Sequence, residues 1–328
     1  MSIALAVGGA ELEPPRIIGR SPAILRVVAQ IQRYAQTNLP VLVVGPTGSG
    51  KELVARHLHW KSGRSGELVD VNCAALPRDM TESLLFGHRR GAFTGAVEHT
   101  DGLVAKAHRG TLFLDELGSL PVESQGKLLR VIETSEVRRV GETTKHRVDF
   151  RLISAVQEDV VECLKAGLLR SDLYHRVNGL RIALPPLRDR REDIVPLVEH
   201  FLAGQCSRLG SGAVEVLAAH DWPGNVRELR SVLERAFVLT DEGLLTAGVI
   251  AEAIDQSDAR DVVRFDLGAR NVSCRAAVDL VEACVRHGWD SRRVARSLSI
   301  SRATLFRRLR VHGISLASLR VSGSLTPG

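Results

Sequence analysis

Gly45-Pro46-Thr47-Gly48-Ser49-Gly50-Lys51 is the stretch from which the rest of the chain can be read. It follows Val41-Leu42-Val43-Val44, a short apolar run with the bias of a buried strand, and it opens a segment suited to a helix. In that setting the glycines let consecutive backbone N–H groups turn toward one anion. The helix N-terminus adds partial positive charge, and Lys51 reaches the β- and γ-phosphates of a nucleotide. A glycine-rich turn with a chance lysine is the competing reading, and the flanking strand and helix argue against it. Position 52 is Glu52 instead of the usual Ser or Thr, so a direct hydroxyl ligand for Mg²⁺ is missing.

Working outward, Leu68-Val69-Asp70-Val71, Thr111-Leu112-Phe113-Leu114 and Val148 to Ala155 are further short β-rich runs separated by helical stretches. That alternation predicts βαβ units and a buried parallel sheet up to about Ala183. The Thr111 run ends in Asp115-Glu116. Two carboxylates at the carboxyl end of a strand are costly unless they serve a cation or a reaction. Asp115 would hold Mg²⁺ largely through water, and Glu116 would polarise an attacking water. An acidic turn after a core strand is the plain alternative; pairing with Gly45–Lys51 in one sheet disfavours it.

Beyond Leu184-Pro185-Pro186-Leu187 the signals turn helical, from Asp193 to about Ile254, with Gly224 to Phe237 reading as one amphipathic helix. Asp255 to Arg260 shows no periodicity and reads as the start of a linker. A last helical unit follows from about Ser273 to Ile314. No run of 18 apolar residues exists, which excludes a membrane-spanning helix, and the first ten residues lack a signal peptide's basic and apolar regions. The five cysteines (Cys73, Cys163, Cys206, Cys274, Cys284) form no C-x-x-C pair, which fits a reducing cytoplasm better than a disulfide framework. Charge is unevenly spread. Between Arg286 and Arg320 nine arginines face one acid, Asp290, a local +8 that leaves −2 for the rest of a chain of net charge +6. A polyanion partner for the C-terminus alone is implied.

Gly91-Ala92-Phe93-Thr94-Gly95-Ala96 matches, letter for letter, the GAFTGA loop of the bacterial enhancer-binding proteins, the AAA+ ATPases that activate sigma-54 RNA polymerase. Leu85-Phe86-Gly87-His88, Val71-Asn72-Cys73-Ala74-Ala75-Leu76, Leu184-Pro185-Pro186-Leu187-Arg188-Asp189-Arg190 and Trp222-Pro223-Gly224-Asn225-Val226-Arg227-Glu228-Leu229 resemble that family too. The resemblance runs from about Ile17 to Phe237, and Glu52 is itself common in the family. It implies an α/β AAA+ P-loop ATPase subdomain at 17–183 after a leader at 1–16. A helical lid at 184–254, a linker at 255–271, a Fis-type helix-turn-helix domain at 272–316 and a tail at 317–328 would follow. With so short a leader the chain resembles the phage-shock and Hrp-type activators that lack a receiver domain.

Roles follow from the same resemblance. Gly45 to Glu52 would bind ATP with Mg²⁺; Asn72 would restrain Glu116; Arg227 would be the lid's sensor arginine. Arg170 and Arg176 resemble arginine fingers reaching a neighbouring subunit's γ-phosphate, as guanidinium groups stabilise charge on the transferring phosphoryl; a solvated basic helix face is their plain reading. Gly91 to Ala96 would contact sigma-54, and residues from about Thr134 to Lys145 sit where the family places a second contacting loop. Two departures stand out. Val156-Gln157 replaces the family's usual Thr-Asn, Gln157 keeping an amide, and the lid between Phe201 and Asp221 is shorter than usual. For Phe93 the alternative is a hairpin turn with the ring tucked into the core.

In the C-terminal unit, Asp290 to Ser297 and Ser301 to Arg310 suit two helices separated by a short turn, with Ser301 as N-cap and Leu305 and Leu309 forming a stripe. This is helix-turn-helix spacing. Arg292, Ser301, Arg302, Thr304, Arg307 and Arg308 would meet the major groove or flanking phosphates of double-stranded enhancer DNA. The expected whole is a cytoplasmic, DNA-bound ring, a hexamer by resemblance, that uses ATP to bring sigma-54 polymerase to the open promoter complex, with an inhibitor or co-activator protein as a further partner. Against it stands a DNA-binding regulator with a weakened or vestigial ATPase, acting as a repressor or as the silent partner of a mixed ring. A P-loop metabolic kinase predicts neither the GAFTGA loop nor the DNA reader.

Overall fold

A computed structural model describes residues 14–266 apart from 158–159, 204–207 and 241–242. In chain order the first half runs α1 (Pro22–Ala35), β1 (Val41–Val44), α2 (Lys51–Ser62), β2 (Leu68–Asn72), α3 (Thr81–Phe86), β3 (Gly87–His88), β4 (Thr100–Asp101), α4 (Leu103–Lys106) and β5 (Thr111–Asp115). It continues through α5 (Val122–Thr134), β6 (Glu136–Val137), β7 (His146–Arg147), β8 (Arg151–Val156), α6 (Val160–Lys165), α7 (Ser171–Val177) and β9 (Leu180–Ala183). The lid comprises α8 (Ile194–Leu202), β10 (Arg208–Leu209), α9 (Ala213–Ala219), α10 (Asn225–Val238), β11 (Leu244–Leu245) and the start of α11 (Ala247–Asp266).

Five strands form one parallel sheet in the order β2-β5-β8-β1-β9. The apolar runs are continuous because both faces of each inner strand are covered. Val41, Val43, Phe113, Ile153 and Ala155 pack with Ile24, Val27, Ile31, Val54 and Leu58 of α1 and α2. Their neighbours Leu42, Val44, Leu112, Leu114 and Leu152 pack with Leu128, Val131, Leu173 and Val177 of α5 and α7. Period-two alternation therefore divides the residues between two cores and leaves no polar face, the mark of a doubly covered parallel sheet.

Helix α1 is fixed at both ends. Ser21 caps it, its Oγ accepting from Ile24 N at 3.2 Å, with Pro22 at the first helical position. At the other end the buried Arg151 donates to Tyr34 O (2.8 Å) and Ala35 O (3.0 Å), carbonyls left over where the helix stops. Burial, with the Arg64 charge adding, lowers the Arg151 pKa to about 10.

Three expectations are corrected. The fourth β-rich run starts at Arg151, not Val148, and β9 adds a fifth strand not marked by an apolar run; it is a sheet edge with only Ile182 fully inward. The lid is not helical throughout, since β10 and β11 pair in parallel. Helix α11 runs unbroken to Asp266, through the expected linker at 255–260. Those residues include no Gly or Pro to stop a helix, and a polar stretch without apolar periodicity does not by itself end one.

Candidate functional site

The phosphate loop lies between β1 and α2, at the carboxyl edge of the sheet. Gly48 and Gly50 take positive φ (74° and 106°), values an L-residue rarely adopts. Lys51 is buried, and its Nζ donates to Gly45 O (2.9 Å) and Pro46 O (3.1 Å). The Ser49 hydroxyl is buried with no hydrogen-bond partner. A buried cation, a buried hydroxyl and glycines in the left-handed region are what a phosphate needs, so the residues fit a nucleotide.

Asp115 and Glu116 end β5, two strands away from β1, with β8 between them. Asp115 Oδ1 accepts from Glu116 N at 2.9 Å, and Glu116 takes φ 53°, a left-handed position for a non-glycine residue. A non-glycine residue held there costs of order 1–3 kcal/mol, a strain found at functional sites. Asn72 is in register with Asp115 on β2, and its Oδ1 accepts from Ala74 N and Ala75 N. Gln157 is exposed just past β8, whose Val156 carbonyl accepts from Gly45 N. Lys51, Asp115, Glu116, Asn72 and Gln157 thus share one edge.

The field there is acidic. Burial pushes the Asp70 carboxyl up to about 6, with Glu52 and Asp115 adding and Arg56 opposing. Burial, with Asp115 and Glu116 adding, raises the Cys73 thiol to about 12, so it is an inert core group. Among the described residues no three His, Cys, Asp or Glu side chains are arranged to hold a metal alone. Magnesium, which keeps waters and binds through one or two carboxylates plus substrate phosphates, suits such an edge.

Arg176 is elsewhere. Arg176 lines a cleft of about 450 Å³ with Pro40, Asp149, His175 and Gly179, residues that precede β1, β8 and β9 or end α7. That is the amino edge of the sheet, and strands of four to six residues put it about 13–20 Å from the phosphate loop. Arg170 is exposed and forked onto Asp172 (3.0 and 2.7 Å), which holds that carboxyl near 2. Its backbone is fixed by the fully buried Gln125, which accepts from Arg170 N and donates to Leu120 O and Leu168 O. Neither Gln125 nor Asp172 was visible as a site residue in the sequence.

Gly91–Ala96 caps the β3–β4 hairpin. Gly91 N donates to Ala96 O at 2.8 Å, closing the loop, and Gly91 and Gly95 take φ 80° and 100°. Phe93 is 42% exposed, its ring edge-on to that of His88 (5.0 Å), so the core-turn alternative is excluded. Thr94 is exposed. The second loop, between β6 and β7, lies against the first: Arg89 N donates to Val140 O, Val140 N to Gly87 O, and Arg139 forks onto Asp101. The Arg139 guanidinium holds the Asp101 carboxyl below its usual range.

In the lid, Arg227 is exposed near the start of α10, with Glu228 Oε2 accepting from Gly224 N at 2.7 Å beside it. Arg292, Ser301, Arg302, Thr304, Arg307 and Arg308, and the whole expected helix-turn-helix, lie outside the described residues.

Residues 17–183 match the family described as the Sigma-54 interaction domain, and residues 188–264 match the AAA+ ATPase lid domain. The chain is 38% identical over 320 residues to the regulatory protein AtoC of Escherichia coli (strain K12), covering 92% of this chain and 69% of AtoC. It is 43% identical over 241 residues to the DNA-binding transcriptional regulator NtrC of Rhizobium meliloti (strain 1021), covering 71% of this chain and 50% of NtrC. The crystal structure of NtrX from Brucella abortus in complex with ADP superposes with a TM-score of 0.68 at 35% identity, covering 91% of this chain and 69% of NtrX. The chain thus spans between half and about seven tenths of the length of these relatives.

Proposed function

Since the chain belongs to the sigma-54-dependent activators, a family of AAA+ ATPases, we propose that it hydrolyses ATP in a ring of its own subunits to remodel sigma-54 RNA polymerase at a promoter. The observation that carries this reading is the separation of two sites on one frame. Lys51, Asp115, Glu116 and Gln157 converge at the carboxyl edge of the sheet, while the exposed Phe93 and Thr94 stand on a hairpin outside it.

In this reading Gly45–Lys51 orients the triphosphate, and Lys51 exchanges its two loop carbonyls for phosphate oxygens. Magnesium, held by Asp115 largely through water, would offset phosphate charge. Glu116 polarises the attacking water, with Asn72 and Gln157 restraining Glu116 and the water, and Arg227 supplies lid contact to the same nucleotide. Arg170 and Arg176 act on a neighbouring subunit's γ-phosphate. The amino-edge position of Arg176 supports this, because its own phosphate loop is at the other edge. Arg170 must leave Asp172 to take part. Gly91–Ala96 and the second loop, tied by Arg139 and Asp101, contact sigma-54. Arg292, Ser301, Arg302, Thr304, Arg307 and Arg308 bind enhancer DNA in the cytoplasm, and a hexamer is the expected ring.

ATPase rate per subunit across a protein concentration series tests the reading. A rate rising steeply with concentration is expected for catalysis shared between subunits; a flat or absent rate refutes it. Truncation after Asp266 spares α11 and should leave that ATPase while removing salt-dependent binding to duplex DNA. Equal DNA binding by the truncated chain would refute the DNA assignment.

A further inference from the structure

A loop that turns its N–H groups toward an anion turns its carbonyls the other way. In this chain three consecutive outward carbonyls of the phosphate loop are each held from the lid side. Thr47 O accepts from Asn225 Nδ2 at 3.0 Å, Gly48 O from Arg227 N at 3.3 Å, and Ser49 O from Arg190 Nη2 at 3.1 Å. The approach is close enough that a Cβ on Gly48 would stand 2.2 Å from Gly224 O. Gly48 is therefore required by the lid as well as by the loop's own turn.

Two side chains make this contact, and both are placed at a cost. Asn225 is buried with φ 55°, a conformation tolerated by few residues other than Gly and Asn. Its amide is fully committed: Oδ1 accepts from Leu187 N at 2.8 Å, and Nδ2 donates to Pro223 O as well as Thr47 O. Arg190 is 3% exposed, sits at a non-helical φ/ψ inside a 3-10 turn (Leu187–Asp193), and leaves its Nε without a hydrogen-bond partner. Burial lowers its pKa, the Asp193 charge opposing. A guanidinium buried for one carbonyl is poor packing, since an apolar side chain of similar volume fills such a place more stably. What the arginine supplies is a donor aimed at Ser49 O.

We propose that Arg190 and Asn225 are positioning residues for the phosphate site: by holding the Thr47 and Ser49 carbonyls they keep the loop's N–H groups aimed at the nucleotide's phosphates, so phosphate affinity is set by lid docking. The inference rests on Gly45–Lys51 being the nucleotide site. By linkage, phosphate binding must then tighten lid docking by the same factor that docking tightens phosphate binding.

The test uses the full chain with ADP and adenosine as probes. Asn225→Asp keeps the acceptor for Leu187 N but faces Thr47 O with an oxygen; Arg190→Met keeps volume but removes the donor. Each should weaken ADP about five- to tenfold, the range for a lost buried hydrogen bond, while adenosine affinity stays unchanged, and Arg190→Lys should recover part of the loss. Folded variants with wild-type ADP affinity, or with equal losses for ADP and adenosine, overturn the proposal. A wild-type chain that binds no ADP would instead refute the nucleotide site itself. Hydrogen exchange on the wild-type chain needs no variant: ADP should slow exchange in the Leu187–Asp193 turn as well as in Gly48–Lys51. Protection confined to Gly48–Lys51 overturns the coupling.

Discussion

Asp193 offers the sharpest stability test, because one carboxylate satisfies three donors at the start of α1 from across the chain. It is fully buried; Oδ1 accepts from Arg20 N (2.6 Å) and Ser21 N (2.7 Å), and Oδ2 from Ser21 Oγ (2.6 Å). Asp193→Ala strands two backbone N–H groups that no rotation can redirect. A buried donor left unmade, as Ser21 N would be, costs about 1–3 kcal/mol, the part-buried Arg20 N costs less, and the serine hydroxyl loses its acceptor too, for a total of about 2–5 kcal/mol. Asp193→Asn keeps an oxygen for both N–H groups but changes the Ser21 contact and removes the charge facing Arg190, so about 1–2 kcal/mol is expected. Urea unfolding of the three proteins, followed by far-ultraviolet circular dichroism at constant pH, reads both values. A loss below about 1 kcal/mol for Asp193→Ala, or equal losses for the two variants, would show that water reaches these donors and that the hydrogen-bond count is the wrong basis.

Arg170→Ala and Arg176→Ala should each lower turnover by about 10³–10⁵ with ADP affinity retained, and mixing either with Lys51→Ala subunits should restore activity; steady-state hydrolysis across mixing ratios decides, and no recovery in mixed rings counts against action between subunits. Thr94→Ala should keep stability within about 0.5 kcal/mol, because the side chain is exposed, and keep hydrolysis while losing open-complex formation; an in vitro transcription assay beside an ATPase assay on one preparation shows whether the two separate. Asp70 is a carboxyl whose folded pKa is raised, to about 6, by burial, with Glu52 and Asp115 adding. Its contribution is therefore fully present below the unfolded value and is lost as pH rises through about 6. Asp70→Asn should raise the melting temperature at pH 7.5 and lose that advantage near pH 4.5; a benefit independent of pH would mean that the charge is not the cause.

The phosphate loop, the Asp115-Glu116 pair and the exposed Gly91–Ala96 loop were legible because each is a run of neighbouring residues. Successive amides cradle an anion, a strand delivers two acids to one edge, and glycines free a turn, so spacing along the chain is already spacing in space. Continuous apolar runs likewise showed the inner strands. The edge strand β9, with Arg181 in the middle of it, was missed because an edge needs no continuous apolar run. Helix α11 was legible as far as Ile254, where Ile250, Ala253 and Ile254 form a buried stripe, and its continuation to Asp266 was not, because Asp255 to Arg260 is polar and shows no apolar periodicity.

Only the tertiary structure could decide the partners that lie far apart in sequence. Asn225 reaches Thr47 across 178 residues, Arg190 reaches Ser49 across 141, and Asp193 reaches Ser21 across 172. An arginine or asparagine within a charged turn has the same local pattern whether it is solvated or buried against a carbonyl. The difference is made by burial, which removes water and makes each unmet donor costly. The placing of Arg176 at the amino edge has the same origin: strand order, a long-range property, sets which edge a loop occupies. The chemistry of the phosphate site was thus written in consecutive residues, while what holds that site in shape was fixed by the packing of the lid.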